Sequence, residues 1–296
     1  MNCAVLDFLF YSQRYRFLMF YRVLCAFVEK ITVLSVVVFY CCFLLACETS
    51  MLSSNEKSSE KNSEKSNTDL HILVFSKTQG FRHESIADGN RMLQSLGSEN
   101  HWTMTFSENA DHFNGNLDQY DVVVFNNTLG DIFTPQQRSQ FRSWLENGGG
   151  FLGIHSAVDT ESKWAWYHDT VLAGARFIGH PDGEQVADLI IEEGKYGFLS
   201  HVGQPSERWR FFDEWYFWDV DLRQAPNVEV IARLDRTSYP TSVQPADSDH
   251  PVIFTNRVKE GRVYYTNQGH RGDTFRDSAF IEQIRKAVLW LHRGSE

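Results

Sequence analysis

Apolar residues first cluster at 31–46 (ITVLSVVVFYCCFLLA), almost vanish over 48–69, and from residue 70 return in short periodic blocks. These blocks predict alternating strands and helices. HILVF at 71–75 and DVVVF at 121–125 are nearly continuous apolar runs, the type buried on both faces of a parallel sheet. Residues 85–96 set Ile86, Met92, Leu93 and Leu96 at helical spacing, and WTMTF at 102–106 alternates as a half-exposed strand does. A second helix is predicted by Thr134 as N-cap, Pro135 at the first helical position, apolar Phe141, Trp144 and Leu145, and the stop Gly148-Gly149-Gly150. Residues 151–154 give the next strand, and 252–257 with 262–266 a later hairpin. The alternation implies right-handed crossovers and an α/β fold: a doubly wound, mostly parallel sheet followed by a less regular, aromatic-rich C-terminal half.

The apolar run at 31–46 carries no charge and follows Arg14, Arg16, Arg22 and Lys30, a signal-peptide pattern. It is shorter than the roughly 20 residues a spanning helix needs. Its end, Leu44-Leu45-Ala46-Cys47, resembles the bacterial lipoprotein cleavage box, which makes Cys47 the expected lipidation site and membrane anchor. A short transmembrane anchor is the alternative. Both readings put the rest of the chain outside the cytoplasm, in a bacterial cell envelope. The stretch before Met19 is long for a leader, so Met19 is a second reading of the translation start. Residues 48–69 are a Ser/Glu/Lys/Asn tract with too few apolar side chains for a core, and read as a flexible tether. The expected division is therefore leader 1–47, tether 48–69 and folded domain 70–296.

Charge and cysteines narrow the chemistry. A formal net charge of −10 argues against nucleic-acid binding, because neutralising phosphates requires a basic surface. All five cysteines (Cys3, Cys25, Cys41, Cys42, Cys47) belong to the leader. A domain without thiols has no disulfide, no Cys-ligated zinc and no cysteine nucleophile.

Ligands of open α/β sheets sit beyond the carboxyl ends of the strands. The segments following the proposed strands are Ser76-Lys77-Thr78-Gln79-Gly80-Phe81-Arg82-His83, Asn126-Asn127-Thr128, His155-Ser156-Ala157-Val158-Asp159 and Asn267-Gln268-Gly269-His270-Arg271. Histidines follow three of the four strands, so His83, His155 and His270 are expected to share one site, with Lys77, Arg82, Asn126 and Asp159 around it. Gly153-Ile154-His155-Ser156-Ala157 has the small-x-X-x-small spacing of a nucleophile elbow, with His155 as the presented residue. An imidazole there moves protons near neutral pH or ligates a metal; a histidine bonded to a loop carbonyl is the plainer alternative. Asp213-Glu214, inside the aromatic stretch WRFFDEWYFW at 209–218, are adjacent acids in an apolar setting where desolvation favours acid/base use. Trp166 and Tyr216 are candidate walls against a sugar ring, or core. His180 and His250 are further polar candidates, and His155, His180 and His270 are candidate ligands for a divalent metal, although no short-spaced metal motif is present.

Several of these segments together resemble the trehalose-utilisation, or ThuA-like, family: Lys77-Thr78 through Gly80-Phe81-Arg82-His83, Gly149 to Asp159, Gly174-Ala175 through His180-Pro181, Asp213-Glu214-x-Tyr216, Asp249-His250-Pro251, and Gly261 through Gly269-His270. Each piece is weak alone; the ordered set is specific. The resemblance implies a flavodoxin-like, class I glutamine-amidotransferase-like fold without the amidotransferase cysteine, His155 standing where that thiol would be. It also implies carbohydrate metabolism linked to disaccharides and their 3-keto derivatives. Phe254 departs from the expected pattern, which has Trp there.

Two functions compete on this evidence. One is an enzyme that abstracts a proton next to a sugar carbonyl, with isomerisation or elimination as outcome: His155 as base or metal ligand, His83 or His270 as acid partner, Arg82 or Lys77 against the enediolate oxygen. The other is a non-catalytic sugar-binding lipoprotein serving a transporter or a partner sugar oxidoreductase. Clustered imidazoles favour the enzyme, because binding alone needs amides, acids and aromatics more than titratable rings.

Overall fold

In a computed structural model, the described residues are 70–293, apart from 193, 219 and 240–248. Cys47, the leader and the tether lie outside them.

Nine strands form one sheet, ordered β2-β1-β3-β4-β9-β8-β7-β5-β6. The first half is built as its apolar runs dictate. Strands β1 (His71–Phe75), β2 (Thr103–Ser107), β3 (Val122–Asn126) and β4 (Gly150–Ile154) pair in parallel, and β9 (Gly261–Thr266) continues the parallel set beside β4. Every residue of β3 and β4 is buried, as expected for strands covered on both faces.

Helix α1 (Ile86–Asn100) buries Ile86, Met92, Leu93 and Leu96. Helix α2 (Pro135–Glu146) opens on a reciprocal capping box: the Thr134 hydroxyl accepts from the Gln137 N–H, and the Gln137 side chain accepts from the Thr134 N–H. Helix α3 (Ser278–Arg293) closes the chain against β4 and β9.

The second half departs from the sequence expectation of a mostly parallel sheet. Strands β5 (Gln185–Ile191), β6 (Arg208–Asp213), β7 (Glu229–Leu234) and β8 (Pro251–Val258) pair antiparallel, and β8 pairs antiparallel with β9. Half of the sheet's pairings are thus antiparallel. In β5 and β6 the signal is period-two alternation, weaker than the apolar runs of the first half: in β6 Trp209, Phe211 and Asp213 point inward while Arg208, Arg210 and Phe212 point to solvent.

Strand direction decides what reaches the ligand edge. Strands β6 and β7 run with the parallel set, so β6 ends at that edge and delivers Asp213 and Glu214. Strands β5 and β8 run the other way and begin there, which brings His180, Glu184 and His250, lying just before them, to the same side.

Candidate functional site

The turn after β4 is what presents His155. Its backbone is left-handed (φ 48°), an uncommon conformation outside glycine that costs about 1–3 kcal/mol and persists only where the surroundings enforce it. The enforcement is visible. A side chain on Gly153 would come 3.3 Å from the Ala157 Cβ and 3.1 Å from the Tyr265 ring, so both flanking positions must stay small. The buried Tyr265 hydroxyl donates to the His155 carbonyl at 2.9 Å.

The His155 ring is fully buried. Its Nδ1 lies 2.7 Å from the Asn267 carbonyl oxygen, which only accepts, so Nδ1 carries a proton and Nε2 is the nitrogen that faces Glu214. Asn267 is itself fixed: its Nδ2 donates to the Tyr216 carbonyl and its Oδ1 accepts from the Tyr216 N–H. Sequence reasoning missed Asn267, because its contribution to His155 is a backbone oxygen that any residue possesses.

Four side chains converge. His83, His155, Glu214 and His270 have ligand atoms within 4.8 Å of one another, the donor set among the described residues suited to an ion. The ring centroids of His83 and His155 stand 4.9 Å apart, of His83 and His270 5.1 Å, and of His155 and His270 5.3 Å. Glu214 is the hub. Its Oε2 is 3.4 Å from His155 Nε2 and 3.1 Å from His270 Nδ1, and its Oε1 is 3.2 Å from His180 Nδ1.

Electrostatics follows this arrangement. Burial pushes the Glu214 carboxyl up, but the contacts from His155 and His270 outweigh it and hold the group well below the ordinary carboxylate range. Burial also opposes charge on His270, and Glu214 more than compensates, raising its pKa. His83 is driven the other way, to about 3, by burial and by its two neighbouring imidazoles, so it is neutral. Its Nδ1 lies 3.3 Å from the Ser156 hydroxyl and its Nε2 3.4 Å from the Tyr216 hydroxyl. Burial, and then the charge of Glu214, push the Tyr216 phenol far up, so it remains a donor.

The other sequence candidates divide. Asp213 is fully buried and its carboxylate accepts from the N–H groups of Glu214, Gly269 and His270 and from the Thr274 hydroxyl. These four bonds anchor the 269–274 loop, and burial pushes the Asp213 carboxyl up. Arg82 lines the cleft above the cluster but pairs with Glu108. Lys77 donates to the Ile132 carbonyl, Asn126 to the Ile86 carbonyl and to Asn90, and His250 lies 3.0 Å from the Tyr216 carbonyl, all of them structural bonds. Asp159 is half-buried and raised by desolvation. Trp166 is no wall of this site: it packs on Trp164 and Phe141 with Arg142 over its ring. Most of the aromatic stretch 209–218 is likewise core, with Trp215 and Phe217 fully buried, and so is Phe254. Of the three metal candidates, His155 and His270 belong to the cluster, whereas His180 reaches it only through the far oxygen of Glu214.

A cleft of about 450 Å³ opens over the cluster, lined by Phe81, Arg82, His83, Glu184, His270 and Arg271 among others. That volume is in the range of small-molecule sites.

The fold and site define a mixed α/β protein with a histidine–carboxylate cluster at the strand-to-helix elbow. The trehalose-utilisation (ThuA) family profile matches residues 71–291, and the chain belongs to that family. Among solved structures the fold matches a ThuA-like protein from Bacteroides uniformis ATCC 8492, with 22% identity and TM-score 0.63 over 78% of this chain and 94% of that one. It also matches a ThuA-like protein from Parabacteroides merdae ATCC 43184, with 17% identity and TM-score 0.58 over 76% and 91%. No match was found among curated proteins.

Proposed function

We propose that this chain is an enzyme of carbohydrate metabolism that acts on a disaccharide or its keto derivative by moving a proton at the carbon beside a carbonyl. The observation that carries the reading is the meeting of His83, His155, His270 and Glu214 beneath a cleft of small-molecule size. Membership of a trehalose-utilisation family supports a carbohydrate substrate.

In this mechanism a base removes the C–H proton, and the electron pair moves onto the carbonyl oxygen to give an enediolate. The pair then either returns with a proton to the neighbouring carbon, which isomerises the sugar, or expels the glycosidic oxygen one carbon further on, which leaves protonated. His155 is a poor shuttle, because the ring has no contact with solvent. His180, with its side chain 40% exposed and its Nδ1 held by the Pro181 carbonyl at 2.8 Å beside Glu214 Oε1 at 3.2 Å, is the group that takes the proton through its other ring nitrogen and returns it to solvent. Tyr216, kept protonated, is a donor toward the developing oxygen. The three deep imidazoles fix where that oxygen lies.

The test is turnover of a keto-disaccharide by the full-length chain, alongside His155→Ala. Loss of a group in such a centre lowers turnover by roughly 10²- to 10⁴-fold. A folded variant with unchanged turnover contradicts the reading. Saturable sugar binding without turnover by the wild type replaces it with the binding-protein alternative.

A further inference from the structure

Deepening that reading of the same site, we infer that His83, His155, Glu214 and His270 hold one divalent cation of the zinc, nickel, cobalt or manganese kind, with its open side toward the cleft.

The first argument is unspent valence. His155 Nε2 and His270 Nδ1 are buried, lack a well-aligned hydrogen bond, and both face the same oxygen, Glu214 Oε2, at 3.4 and 3.1 Å. A buried polar atom left unpaired costs about 1–3 kcal/mol, so two of them facing one carboxylate demand an explanation. The Asn267 carbonyl holds a proton on His155 Nδ1, which leaves Nε2 as the nitrogen facing Glu214 Oε2, the same oxygen that His270 Nδ1 faces. A proton on one nitrogen satisfies that nitrogen's contact with Oε2 and leaves the other to compete for the same oxygen. One cation satisfies both nitrogens and the carboxylate together.

The second argument is geometry. Bonds of about 2.0–2.2 Å around a tetrahedral ion set neighbouring ligand atoms roughly 3.3–3.6 Å apart. The contacts of Glu214 Oε2 with His155 Nε2 at 3.4 Å and with His270 Nδ1 at 3.1 Å are near that spacing, and all four groups stay within 4.8 Å. Metal-bound histidines typically give their second ring nitrogen to a carbonyl or carboxylate, as His155 gives its Nδ1 to Asn267.

The third argument is chemistry and access. Three imidazoles and one carboxylate suit borderline first-row ions; magnesium and calcium prefer all-oxygen sites. Two of the ligands, His83 and His270, also line the cleft, which leaves the ion approachable by a sugar oxygen from that side. Bound there, the cation supplies the polarisation of a carbonyl or vicinal hydroxyl that neutral imidazoles cannot.

The experiment uses the full-length chain purified without a histidine tag, stripped with chelator, and titrated calorimetrically with zinc, nickel, cobalt and manganese chlorides. Elemental analysis follows on dialysed samples. The expected result is one ion per chain for at least one of these metals, a rise in melting temperature on loading, and a cobalt absorption spectrum showing nitrogen ligation. Glu214→Gln, which keeps volume, and His270→Ala, at the more accessible ligand, should each weaken binding at least tenfold while leaving the apo melting temperature near that of wild type. No stoichiometric binding by wild type overturns the inference, as does equal binding by both variants. Undiminished turnover of a keto-disaccharide in chelator overturns it while sparing the carbohydrate reading. Stoichiometric metal with neither sugar turnover nor sugar binding sustains it and overturns the carbohydrate reading instead.

Discussion

Asp213 receives the backbone N–H of His270 at 3.0 Å, through the carboxylate that also takes Gly269 N–H at 2.9 Å and the Thr274 hydroxyl at 2.8 Å. One buried carboxylate at the end of β6 thereby locates the histidine that follows β9, a strand from the other half of the sheet. Asp213→Asn puts an NH₂ donor where donors already point. It should destabilise the fold by about 1–3 kcal/mol and lower turnover by displacing His270. Urea unfolding combined with kinetics checks this; an unchanged midpoint and rate would mean that the loop is held by something else.

Gly269 is the tightest backbone approach to the site. Its φ is +130°, and a Cβ there would stand 2.6 Å from Ile154 Cγ2 and 3.4 Å from His155 Cβ. Gly269→Ala therefore combines backbone strain with overpacking against the elbow, at roughly 1–3 kcal/mol. Gly115, also at positive φ but with open space around it, is the control: alanine there strains the backbone but meets no neighbour. Thermal melts should show the larger loss at Gly269.

Acid should weaken the fold partly through His250. Burial lowers its pKa from 6.5 to about 4. Between those values the unfolded chain binds a proton that the folded one refuses, so stability rises with pH across this window and is lost as pH falls from 6.5 toward 4. The contribution lost between pH 7.5 and pH 5 is roughly 2 kcal/mol. His250→Gln cannot titrate and keeps an amide donor for the Tyr216 carbonyl. Its unfolding free energy should fall less than that of wild type over this interval; equal losses would refute the assignment.

At the other end of the chain, Cys47 follows an uncharged run and a Leu-Leu-Ala sequence. Expressed in a bacterium, the wild type should yield a mature form beginning at a lipidated Cys47 that partitions with membranes. Cys47→Ala should accumulate as unprocessed precursor. Mass spectrometry detecting an intact leader on the wild type would instead favour a transmembrane anchor.

Much of the first half of the fold was legible, because its strands are short apolar runs and α2 is framed by Thr134, Pro135 and a glycine stop. The convergence of His83, His155 and His270 was legible for the same reason: parallel strands end at one edge, and these residues follow three such ends. The antiparallel half was not. Strand β6 carries exposed arginines and β5 and β7 half-buried charged residues, and the sequence around β6 is dominated by Trp and Phe residues that mostly serve the core. Adjacent Asp213 and Glu214 looked equivalent. They differ in where each side chain turns at the end of β6, one carboxylate entering four hydrogen bonds and the other the histidine cluster. The tautomer of His155 depends on a main-chain oxygen of Asn267, to which side-chain identity gives no clue.

The most direct measurement is solvent deuterium exchange, followed by proton NMR, of a keto-disaccharide incubated with the full-length chain in D₂O. Wild type should exchange or eliminate the proton beside the carbonyl catalytically, and Glu214→Gln should slow this by roughly 10²- to 10⁴-fold while remaining folded. A folded Glu214→Gln that exchanges the proton at the wild-type rate would contradict proton transfer at this cluster.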